Sequence, residues 1–65
     1  MVEVLIIEFE GIVEDVELYT LPIDAENRQL NLILKKYNSW QEYQEALEYN
    51  GAEYVVHWFT GVKVR

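Results

Sequence analysis

The sequence predicts a small α+β domain, in which one helix packs on one face of a mostly antiparallel sheet. Three observations carry this prediction. Apolar residues recur with a period of two over residues 2–9, 13–21 and 52–59, the spacing of strands. Ser39 and Glu42 form the S-x-x-E capping pattern at the head of a segment with helical apolar spacing, and Gly51 follows as its stop. The chain has 65 residues, enough for one domain over 1–65 with a modest core.

Residues 2–9 read as the first strand. Leu5, Ile7 and Phe9 share one face; Val2, Val4 and Ile6 share the other. Apolar character on both faces marks a central strand, or one whose second face meets a partner. The next turn falls at Glu10-Gly11 or near Glu14-Asp15. Residues 13–21 read as the second strand, with Val16 and Leu18 toward the core and Asp15, Glu17 and Tyr19 outward. Pro22 ends it, because proline cannot donate to a ladder.

Residues 24–37 fit two patterns. As a helix capped by Asp24, they place Leu30, Ile33, Leu34 and Tyr37 in one stripe. As a strand, they alternate Leu30, Leu32 and Leu34 with Gln29, Asn31 and Lys35. Leu, Gln, Lys and Arg favour helix, but a second helix must start almost at once at Ser39, so the strand is preferred. Residues 39–50 form the helix, with Trp40, Tyr43 and Leu47 on one face beside Ala46. Glu42, Glu45 and Glu48 line its solvent side. The last strand runs from 52 to 59, or on to Val64, with Gly61 at a bulge or bend. Tyr54, Val56, Trp58, Val62 and Val64 share one side of it. The order is β-β-β-α-β; the helical alternative gives β-β-α-α-β, the order of a β-grasp.

A single helix leaves the other side of the sheet open. On this reading that side carries Val4, Ile6, Tyr19, Ile33, Val55, His57 and Phe59, more apolar than a solvated face. It serves either as an interface or as a surface screened by the tails. As an oligomer interface it would work through Tyr19, Val55 and Phe59, and a homodimer would enlarge the small core.

Charge is unevenly placed. The chain has twelve acids and five bases, a net charge of −7. Glu3, Glu8, Glu10, Glu14, Asp15, Glu17, Asp24 and Glu26 all precede the first base, Arg28. This excess answers to solubility, or to an acidic face built by the N-terminal hairpin. It speaks against binding nucleic acid or anionic lipid directly, since both need clustered Lys and Arg. A basic protein is the natural partner. The longest apolar run, residues 4–7, is far short of a membrane span and follows no basic segment. Absence of cysteine removes disulfides, thiolate metal sites and thiol nucleophiles, and favours an intracellular place.

Catalytic chemistry has little to stand on. Ser39 is explained as a cap, and the lone His57 lies mid-strand next to Trp58 and Phe59. The three glycines are isolated and form no phosphate loop, and no EF-hand spacing occurs. The expectation is a non-enzymatic protein without cofactor or metal.

Acids two apart on one strand face are separated by about 6.6 Å, and a duplex strand carries a phosphate every ~3.4 Å of axis. Glu8, Glu10, Glu14, Asp15 and Glu17, together with the helix row Glu42, Glu45 and Glu48, would imitate such rows. In length, acidity, lack of cysteine and the strand–capped-helix–strand ending NSWQEYQEALEYNGAEYVVHWF, the chain resembles small acidic phage-encoded proteins. That class includes DNA mimics and inhibitors of host RNA polymerase, nucleoid proteins, nucleases or CRISPR effectors. The chain is also similar in type to nuclease-inhibiting antitoxins and immunity proteins. The resemblance implies a stoichiometric inhibitor in the cytoplasm of a bacterial host, and it assigns no residue roles. The competing expectation is a structural or assembly protein that oligomerises through its open sheet face.

Overall fold

The computed structural model describes residues 1–63. Strand β1, Val2–Phe9, alternates buried and half-buried positions along most of its length. It turns through Glu10 and Gly11 into β2, Ile12–Tyr19. Both turn residues have positive φ, 52° and 80°, the geometry of a type I′ hairpin turn. Gly11 adopts it without penalty; Glu10 does not. Helix α1 is Pro22–Lys36 and α2 is Trp40–Glu45, which continues in a wider π-helical turn, Ala46–Asn50. Strand β3, Tyr54–Val62, completes an antiparallel sheet of order β2-β1-β3.

The α+β class and the antiparallel sheet match the sequence reading; the strand over residues 24–37 does not. Those residues lie in α1, so the order is β-β-α-α-β, with three strands rather than four. The strands β1 and β3 run antiparallel, so the β-grasp likeness stops at the order of elements. Local chemistry decides for helix. Pro22 occupies the first helical position, where its missing N–H costs nothing, and Asp24 then lies in the first turn rather than at the cap. Lys35 and Lys36 complement the dipole of the last turn. Residues 37–39 suffice to connect α1 to α2, a normal length between packed helices. Ser39 caps α2, its Oγ accepting from the Glu42 N–H at 3.1 Å.

Both helices lie on the same side of the sheet. The core there is Leu5 and Ile7 of β1, Ala25 and Ile33 of α1, Tyr43 of α2 and Val56 of β3. The stripe of α1 that faces it therefore runs through Ala25 and Ile33, and Leu34 is 50% exposed. Leu47 is exposed as well, because the π-helical turn carries it off the line of Trp40 and Tyr43. No buried side chain comes from β2. Gly51 ends the helical segment with φ 67°, and Gly61, φ 65°, bends β3 where its register shifts against β1. The predicted extension to Val64 lies outside the described residues. Among the described residues no helix is long and apolar enough to cross a membrane.

Candidate functional site

Register fixes which residues face away from the helices. On β1 these are Val2, Val4, Ile6 and Glu8, the half-buried positions between Glu3, Leu5 and Ile7. On β3 their partners are Val62, Phe59, His57 and Val55; on β2 they are Leu18, Val16 and Val13. Val55 and Phe59 thus stand on the open face as predicted. Tyr19 and Ile33 do not: Tyr19 pairs with Glu3 on the helix side, and Ile33 is buried in α1.

The second strand is turned over relative to the sequence reading. Val16 and Leu18 point to the open face, 51% and 65% exposed. Asp15 and Glu17 pair with Ile7 and Leu5 and so lie on the helix side. Two local causes set this. Ile7 pairs with Asp15 and Glu8 with Val13, so Glu14 is an extra residue, a bulge that shifts the alternation. On the helix side, Glu17 accepts two hydrogen bonds from Arg28 of α1, at 2.9 and 3.1 Å, and one from the Tyr19 hydroxyl at 2.8 Å. These donors hold the Glu17 carboxyl below its ordinary range, Arg28 foremost, and the same contacts raise Arg28 and Tyr19.

The open face is therefore apolar from edge to edge, apart from one polar pair. Val13 is 55% exposed, Phe59 49% and Val62 37%. Toward its hairpin end, His57 Nε2 meets the Glu8 carboxylate across the β1–β3 pairing. The uneven spacing of Val13, Val16 and Leu18 was the sequence signal for this face, because a step of three within a strand betrays a bulge.

The predicted acidic site divides into three parts. Glu8 is engaged by His57 and Glu17 by Arg28, so neither is a free carboxylate. Glu10 and Glu14 lie exposed at the hairpin end of the sheet, where the Glu10 N–H donates to the Glu53 carbonyl at 2.6 Å. Asp15, also exposed, accepts from the Val16 N–H. Glu42, Glu45 and Glu48 are exposed along α2 and its π-helical continuation, which leads through Gly51 to the same end. Among the described residues none of these six makes an ion pair. Lys36, at the C-terminal end of α1 beside Lys35, stands with its Nζ over the Tyr54 ring at 5.4 Å.

One acid that sequence reasoning left unplaced is structural. Glu3 is buried and accepts from Thr60 Oγ1 at 2.5 Å, the Gly61 N–H at 2.9 Å and Trp58 Nε1 at 3.2 Å. The Thr60 and Gly61 donors lead in holding its carboxyl below the ordinary value, against the opposite push of burial. On the helix side, Glu26, Gln29, Leu30, Trp40 and Trp58 line an open groove of about 450 Å³. Among the described residues no three of the His, Asp and Glu side chains gather closely enough to hold a metal ion.

No family model matches the chain, and no curated protein or solved structure is significantly similar to it.

Proposed function

We propose that this chain is a non-catalytic acidic inhibitor that occupies the basic, nucleic-acid-binding surface of a partner protein. The observation that carries the reading is the set of six exposed acids that make no ion pair among the described residues: Glu10, Glu14 and Asp15 by the hairpin, and Glu42, Glu45 and Glu48 along α2. Exposed acids on two elements would offer negative charge to a groove whose bases otherwise meet phosphate. The class resemblance to phage-encoded inhibitors of host RNA polymerase, nucleoid proteins, nucleases or CRISPR effectors points the same way. Binding of this kind is steered by long-range attraction and weakens as salt screens it.

The test is capture from bacterial lysate under a salt gradient, followed by competition with duplex DNA. The expected prey is a basic nucleic-acid-binding protein that elutes as salt rises and is displaced by DNA. Glu14→Lys, Asp15→Lys and Glu45→Lys in one chain should abolish capture, with the far-ultraviolet circular dichroism unchanged. Glu17 is left intact because its carboxylate holds Arg28. Capture that survives the triple reversal, or that DNA does not displace, overturns the reading.

A further inference from the structure

The sheet has two faces, and among the described residues only one is covered. The other carries Val13, Val16, Leu18, Phe59 and Val62, all more than a third exposed, around the half-buried Val4 and Ile6. We infer that a second copy of this chain covers it, the two sheets packing face to face in a homodimer. The inference does not depend on the acidic surface.

Four observations select a second copy over another occupant. First, the face carries a matched acid and base, Glu8 against His57. In a two-fold arrangement the same patch meets itself, so an acid on it must not stand unpaired against its own copy. A patch with one acid beside one base satisfies that condition. A basic foreign protein would find the Glu8 carboxylate already engaged by His57, and an anionic lipid surface would repel a chain of charge −7.

Second, the exposed area is sizeable. The fractional exposures of Val13, Val16, Leu18, Phe59 and Val62, applied to side chains of ordinary size, give roughly 450 Å² per copy, more than half of the ~800 Å² that each partner buries in a standard interface. Third, the molecule is open for its size. It exposes 4793 Å², whereas a folded monomer of 7.7 kDa exposes about 4,300 Å². An uncovered sheet face contributes to that area, as do Leu21, Ile23 and Tyr49.

Fourth, the sheet edges offer poor alternatives. The Gln29 side chain donates to the Val56 carbonyl, the Tyr37 hydroxyl to the Tyr54 carbonyl, and the Val56 N–H to the Tyr43 hydroxyl. Side chains of the helices thus occupy the outer edge of β3. The outer edge of β2 is interrupted by the Glu14 bulge and lined with acids. Strand addition is thus hindered at Tyr54 and Val56 of β3 and at the β2 bulge, and the flat face remains. Two sheets stacked about 10 Å apart would bury it, as in a sandwich.

Sedimentation equilibrium over a micromolar concentration series tests this. The wild-type chain should sediment as a dimer of the 7.7 kDa chain. Leu18→Glu and, separately, Val16→Asp should raise the dissociation constant by about 100-fold or more, since symmetry buries two uncompensated charges. Both positions are more than half exposed in the single copy, so circular dichroism should show an unchanged fold. Leu34→Glu, on the helix side and 50% exposed, should leave the dimer intact. A wild-type chain that stays monomeric throughout overturns the inference, whether its open face then proves to bind a foreign protein or lipid vesicles. So does a dimer that survives Leu18→Glu, or one broken by Leu34→Glu.

Discussion

Glu10 occupies the left-handed region with φ 52°, a conformation that Asn adopts more readily than Glu. Its side chain is exposed, and its backbone N–H keeps the bond to Glu53 whatever the side chain. Glu10→Asn should therefore stabilise the protein, by on the order of 0.5 kcal/mol, read as a rise in melting temperature. No rise would mean that the Glu10 side chain offsets its own strain. Glu3 and Glu17 govern the response to acid. Both carboxyls are held below the ordinary value of 4.5, Glu3 by Thr60 and Gly61 and Glu17 by Arg28. A depressed carboxyl contributes stability above its unfolded value and loses it as pH falls through the folded one. The melting temperature should be level at neutral pH and drop below pH 4.5. Glu17→Gln should lower it at neutral pH and flatten the acid limb; an acid limb unchanged in that variant would show that Glu17 gains nothing from Arg28.

At the scale of elements, the short helix is the part most exposed to a single change. Ser39 accepts from the Glu42 N–H, and α2 carries Tyr43, whose hydroxyl accepts from the Val56 N–H at 3.3 Å. Ser39→Ala should cost about 1 kcal/mol and speed amide exchange at Val56 more than at Leu5, in the middle of β1. Equal changes at both amides would mean that α2 and the sheet open as one unit. This helix was legible in the sequence because its cap and its stop, Ser39 and Gly51, act locally. So was β1, with Leu5 and Ile7 on one side of the alternation; the turn was narrowed to Gly11 or Glu14-Asp15, and the structure puts it at Gly11. The helix α1 was ambiguous because Leu30, Ile33 and Leu34 fit one period and Leu30, Leu32 and Leu34 fit the other. Pro22 at the first position and the two lysines at the end were the local signals that separate them. The orientation of β2 was beyond the period-two rule, which sorts residues into faces without saying which face meets the helices. The helix layer meets β2 with Arg28, a charged group, so the acids of β2 turn inward and its valines and leucine turn out. The acidic site was legible as composition only. Pairing removed Glu8 and Glu17 from it, and such pairing depends on contacts between Arg28 and β2, or His57 and β1, that no local pattern reveals.

Across the whole molecule, the two surfaces answer to different forces, and ionic strength separates them. Each copy carries −7, so two copies brought face to face repel one another. The attraction that opposes this is apolar burial by Val13, Val16, Leu18 and Phe59, which salt does not screen. Raising salt from about 0.1 M to 1 M shortens the screening length from ~10 Å to ~3 Å and removes most of the repulsion. The homodimer should tighten across that range. Docking of Glu14, Asp15 and the α2 acids onto a basic partner is attraction between unlike charges, so it should weaken across the same range. Sedimentation of the chain alone and capture of the partner, run in one salt series, should show slopes of opposite sign. The variants should sort in the same way. Leu18→Glu should abolish the self-association and leave the salt slope of partner capture in place; the triple charge reversal should abolish capture and make self-association tighter at low salt, because it lowers the charge of each copy. If the dimer instead loosened as salt rose, charges and not the apolar face would hold the two copies together, and the open face would need another occupant. If capture were indifferent to salt, the exposed acids would serve solubility alone.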